Sequence, residues 1–136
     1  MVQDLIHILH NEDCTCVIRN QEVRRFHNRG IVDLYNVYDR EPQFLDGAAV
    51  ADHAIGKAAA AILIAGKAKH VYADLISLSA LILLREAGIP TDYGQVVSYI
   101  QNHHLTDWCP MESECYSAKN VEDMMPLIKN FVEAHR

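Results

Sequence analysis

The chain has 136 residues, half of them hydrophobic and 22% charged, with a formal net charge of −6 and a pI near 5.7. That length supports one domain, residues 1–136, with its own core and no need of disulfides or metal. The acidic balance and the absence of any Lys/Arg cluster longer than Arg24 and Arg25 argue against nucleic acid as the main partner, because phosphate contacts need a basic stripe.

The longest uncharged apolar run, 58–66, is about half of the roughly 18 residues that a membrane span needs. The first residues, MVQDLIHILHNED, carry Asp4 and no basic region ahead of an apolar core, so they are not expected to be a signal peptide. A cytoplasmic protein with no membrane partner is the expectation. Four cysteines, at 14, 16, 109 and 115, are then expected to be thiols. Cys14 and Cys16 are two apart in a strand-like stretch and should share one face of a sheet as buried packing.

Val2, Leu5, Ile6 and Leu9 recur at helical spacing and predict a first amphipathic helix over 2–11. Residues 14–19 and 22–27 predict two strands joined around Asn20 and Gln21, with Asn supplying the tolerant backbone. Ile31, Leu34, Tyr35 and Tyr38 suggest a short helix, which Pro42 closes or follows. A central strand over 47–51 and an alanine-rich helix over 58–65 come next, ending at Gly66. A strand over 69–77 precedes a helix capped by Ser77 or Ser79 that stops at Gly88 and Pro90. Residues 91–97 predict the last strand, 101–119 are irregular and polar, and a final helix spans roughly 123–135. Pro126 falls inside that helix unless Glu122 or Asp123 is its cap.

The stretch 46–66, DGAAVADHAIGKAAAAILIAG, organises the rest. A buried strand runs straight into a helix, and Asp52, His53, Gly56 and Lys57 lie between them. Ligands in open α/β sheets usually sit beyond the carboxyl end of a strand, facing the following helix N-terminus. AxxxxGKA, from Ala51 to Ala58, falls short of a phosphate-binding loop, which needs Gly first and Ser or Thr last. Lys57 and first-turn N–H groups can still hold a carboxylate or a single phosphate, and against this stands a solvated Lys57 with Asp52 merely capping the helix. His103, His104, Cys109 and Cys115 do not have the spacing of a zinc knuckle, so no metal and no cofactor is expected. Cys109 is a candidate nucleophile with Glu112 beside it to tune the thiolate.

Several motifs carry a resemblance: Arg29 and Gly30, ADHAIGKAAA (51–60), VYADLIS (71–77) and CPME (109–112). In this order they resemble a family of small bacterial domains of unknown function within the cytidine-deaminase-like superfamily. That resemblance implies an α/β fold: a three-layer α/β/α sandwich on a five-stranded mixed sheet in order 2-1-3-4-5. It implies no established activity. True deaminases carry His or Cys, one residue, then Glu, and later Pro-Cys-x-x-Cys. The corresponding helix starts here, around Arg29 and Asp52, lack both sets, so zinc-dependent deamination is not expected.

Two functions follow. One is a binding domain for a small anionic or nucleotide-like ligand held by Arg29, Gly56 and Lys57. The other is an enzyme of hydrolase or transferase type in the same cleft, with Asp52 or His53 as acid/base and Cys109 and Glu112 as further catalytic candidates. The expected partners are a small-molecule anion and a second copy of the chain in a homodimer.

Overall fold

The computed structural model describes residues 2–28, 31–98 and 120–134. Within them the elements run α1 (Gln3–Asn11), β1 (Cys16–Asn20), β2 (Glu22–Phe26), α2 (Val32–Arg40), α3 (Pro42–Leu45), β3 (Ala49–Ile55), α4 (Lys57–Ala65), β4 (His70–Ser77), α5 (Leu78–Glu86), β5 (Thr91–Val97) and α6 (Val121–Ala134). The strands form one sheet in the expected order, β2-β1-β3-β4-β5. β1 pairs antiparallel with both β2 and β3, whereas β3–β4 and β4–β5 are parallel. β3 is thus the middle strand, and β1 alone runs against the direction of the other four.

Side chains alternate across a strand, and the alternation separates two cores. Ile18 and Val50 join the large cluster with α2, α4, α5 and α6, while their neighbours Val17 and Ala51 join a smaller one with Val2, Leu5 and Leu9 of the α1 segment. Helices therefore lie on both faces. The face that α1 shares is covered at β1 and β3, and farther along it β4 and β5 carry the polar side chains His70, Tyr72, Asp74 and Asp92.

The alternation breaks at one row. Val50 and Ile55, an odd number of residues apart, both belong to the large core, as do Val71 and Ile76. Pairing between β3 and β4 runs through Asp52↔Ala73 and resumes at Ala54↔Leu75, and between β4 and β5 it passes from Ala73↔Tyr93 to Leu75↔Gln95. Both ladders skip the row made by His53, Asp74 and Gly94. Here β4 and β5 pinch together, because a Cβ on Gly94 would lie 2.8 Å from the Asp74 carbonyl oxygen. Backbone cannot retreat as a side-chain tip can, so Gly94→Ala is expected to cost about 1–3 kcal/mol. Urea denaturation of the variant measures this; unchanged stability would show that the pinch is absent.

Several sequence expectations need correction, whereas Pro42 just beyond α2 and Ser77 as the cap of α5 stand as expected. β3 extends to Ile55, so Asp52 and His53 lie inside a strand rather than in the loop after it. Cys14 precedes β1 and packs in the α1 cluster, while Cys16 joins the large core, so the two cysteines part instead of sharing a face. In the hairpin it is Gln21, with φ 66°, that takes the left-handed conformation. Asn20 instead donates its side-chain amide to the carbonyls of Phe44 and Asp46, each at 2.9 Å, tying the hairpin to the segment after α3. Pro42 opens α3 in the first helical turn, where its missing N–H is harmless. Ser77, fully buried, caps α5 by accepting from the Ala80 N–H at 3.2 Å. Asn120 Oδ1 accepts from the Asp123 N–H at 2.8 Å, which leaves Pro126 inside α6.

Candidate functional site

Adjacent residues on β3 build two different environments at its carboxyl end. Asp52 lies on the face of the large core, opposite Cys16 in the β1–β3 register. Burial pushes its carboxyl up to about 7, against the opposing pull of hydrogen bonds from the Ala54 N–H and the Cys16 thiol. The Ala54 bond, 3.2 Å to Asp52 Oδ1, is a local turn contact. Asp52 is therefore not the cap of α4. That position belongs to Gly56, and no side chain caps the helix; Lys57 is the first helical residue. Cys16 is itself buried, and burial together with the Asp52 charge raises its thiol pKa well above the ordinary value, so it is not a poised nucleophile.

His53 points to the other face and meets partners that the sequence did not single out. Asp74 is the hub. Its Oδ1 accepts from Tyr72 OH at 2.6 Å and lies 2.6 Å from His10 Nε2; its Oδ2 lies 2.7 Å from His53 Nδ1. Burial works to raise the Asp74 pKa, but the hydrogen bonds from Tyr72, His10 and His53 outweigh it and hold the carboxyl below its usual range. Burial first, then the bond to Asp74, pushes Tyr72 up to about 12. His53 Nε2 also lies 3.1 Å from the Cys14 carbonyl oxygen. Both of its ring nitrogens thus face acceptors. His10, in the last turn of α1, stacks on His53 with 6.5 Å between ring centroids. The cluster accordingly ties α1 to β3 and β4, and both imidazoles remain about half exposed, at 46% and 47%.

Of the predicted site residues, Asp52, His53, Gly56 and Lys57 all gather at the end of β3, with the first two on opposite sides of the sheet. Arg29, Cys109 and Glu112 lie outside the described residues, as do Gly30, His103, His104 and Cys115. Among the described residues, no three His, Cys, Asp or Glu side chains converge in a way that could hold a metal ion. Tyr72 and Asp74 had a faint signal in VYADLIS, since residues two apart on a strand share a face. His10 had none, because only the tertiary fold brings α1 to β4.

Fold and site together define a mixed α/β protein with a polar cluster at the carboxyl ends of its central strands. Residues 4–132 match the profile described as TM1506, domain of unknown function (DUF1893), and the chain belongs to that family. A crystal structure of a DUF1893 family protein (TM1506) from Thermotoga maritima superposes with a TM-score of 0.87 at 22% identity, covering 95% of this chain and 88% of that one. This likeness shows the fold. No curated protein matches the chain. Among the described residues, no helix is long and apolar enough to cross a membrane.

Proposed function

We propose that the chain is a binding domain for a small anionic or nucleotide-like molecule, held beyond the carboxyl end of β3 between Asp52 and the start of α4. The observation that carries this is Asp52. A carboxyl titrating at about 7 is partly protonated near neutrality, so it can donate a hydrogen bond to a ligand and repels an anion far less than an ordinary carboxylate would. Gly56 places no side chain at the helix start, no side chain caps the first-turn N–H groups of α4, and Lys57 brings a full charge. Arg29 is the second positive group in this proposal. Kinship with the cytidine-deaminase-like fold belongs to the same reading and is supported by the order of elements from α1 to β5.

Lys57→Ala tests the reading. A charged hydrogen bond contributes roughly 1.5–3 kcal/mol, so the variant should bind an anionic ligand found by metabolite screening about ten- to a hundredfold more weakly, with little change in stability. Equal affinities by calorimetry would sink the proposal.

The Asp74 hub favours a second reading, an enzyme of hydrolase or transferase type at this end of the sheet. A carboxylate that orients imidazoles is the usual support for acid–base chemistry. His10 suits that role better than His53, whose two ring nitrogens are both engaged. Turnover lost in His10→Gln and retained in Lys57→Ala would favour this reading over simple binding.

A further inference from the structure

At the opposite ends of the strands, four loops surround a groove of about 900 Å³ whose charge runs against that of the whole chain. Arg19, Lys67, Lys69 and His70 line it and, among the described residues, no Asp or Glu does, in a protein with 18 acidic residues against 12 Lys and Arg. Arg19 pairs with Asp4 and His70 with Asp92, both carboxylates lying outside the groove lining. Among the described residues, neither Lys67 nor Lys69 has an ion pair.

The backbone adds an independent argument. α4 and α5 end in the same way: the Ala68 N–H bonds to the Leu63 carbonyl as the Ile89 N–H bonds to that of Leu84, and the Lys67 N–H to Ile64 as the Gly88 N–H to Arg85. This helix ending needs one residue with positive φ, where glycine is at ease. After α5 that residue is Gly88, at 78°, but after α4 it is Lys67, at 63°. A lysine there costs folding free energy that glycine would not, and its side chain lines the groove. The endings occupy the Ile62, Leu63 and Ile64 carbonyls of α4 and the Leu83, Leu84 and Arg85 carbonyls of α5. Ile64, Ile89 and Pro90 supply an apolar wall.

We propose that this groove is an anion site for phosphorylated small molecules, with Lys67 and Lys69 holding the phosphate and the apolar wall receiving the organic body. The site is distinct from the one at the end of β3 and does not depend on it. Inorganic pyrophosphate, titrated into the ¹⁵N-labelled full chain, is the probe. Saturable shifts are expected at the amides of Gln21, Gly47, Lys67, Lys69 and Gly88. Lys67→Gly should weaken binding about tenfold while raising the melting temperature by a few degrees, and Lys67→Gly with Lys69→Gln should weaken it further. The rise in stability separates lost binding from misfolding. Shifts confined to Gly56 and Lys57, no saturable shift at all, or unchanged affinity in the double variant would each overturn the proposal.

Discussion

Asp52→Asn is expected to gain stability relative to wild type as the pH rises from 4 to 8. The folded-state carboxyl titrates at about 7 against an ordinary value of 3.8, so between those limits the folded protein holds a proton that the unfolded chain has released. Stability tied to this group is therefore fully present below pH 3.8 and is lost as the pH rises through about 7. At about 1.4 kcal/mol per unit, the whole shift corresponds to an upper bound of about 4–5 kcal/mol. Asp52 is only partly shielded from solvent, which screens the charge, and about 1–3 kcal/mol is expected at pH 8. Asn keeps an acceptor for the Ala54 N–H and never ionises. Urea denaturation of both proteins at pH 4, 6 and 8 measures the divergence; parallel pH profiles would show that Asp52 ionises normally and would remove the main support for an anion beside it.

Asp74→Ala should cost about 2–3 kcal/mol at neutral pH. It strips Tyr72, His10 and His53 of their common acceptor, and hydrogen bonds to a charged group contribute roughly 1.5–3 kcal/mol each before exposure reduces them. Because the folded carboxyl titrates below its ordinary value, its contribution is present above about pH 3.8 and fades as the pH falls through the folded pKa. The gap between variant and wild type should therefore narrow in acid. Asp74→Asn, which retains one acceptor oxygen, should fall between the two. Chemical denaturation combined with NMR of the histidine rings follows both effects. A loss below 0.5 kcal/mol with unmoved His10 and His53 signals would show that these contacts do not hold α1 in place.

The order of elements was legible because apolar periodicity switches cleanly between helix and strand, and because Ser77, Gly88 and Pro90 punctuate the α5 segment. What failed was local. Asp52 and His53 look like loop residues because they are polar, yet Asp52 pairs with Cys16 on one side and Ala73 on the other, and pairing with β4 resumes at Ala54 beyond His53. Cys14 and Cys16 part because the strand starts at Cys16, a boundary that the alternating pattern does not mark. The site was half visible: the sequence points to the end of β3, where a strand meets a helix start. Asp74, the centre of the polar cluster, sits in an apolar-looking strand, and its importance comes from three donors brought from other positions, one of them on α1.

The alanine-rich helix α4 has a consequence for how this sequence can vary. Ala58, Ala59, Ala60, Ala61, Ile62 and Leu63 are all buried, and α2, α5, α6 and β3 pack around them. Such a helix has no neutral positions from Ala58 to Leu63, since every added methylene must displace a neighbouring backbone or side chain. Sequence drift is therefore steered toward α1 and the outer face of α6, while α4 records the spacing between the layers. A change at one of these alanines is therefore expected to need a compensating change in the facing residue on a neighbouring helix, so paired rather than single substitutions are the expected trace of this helix.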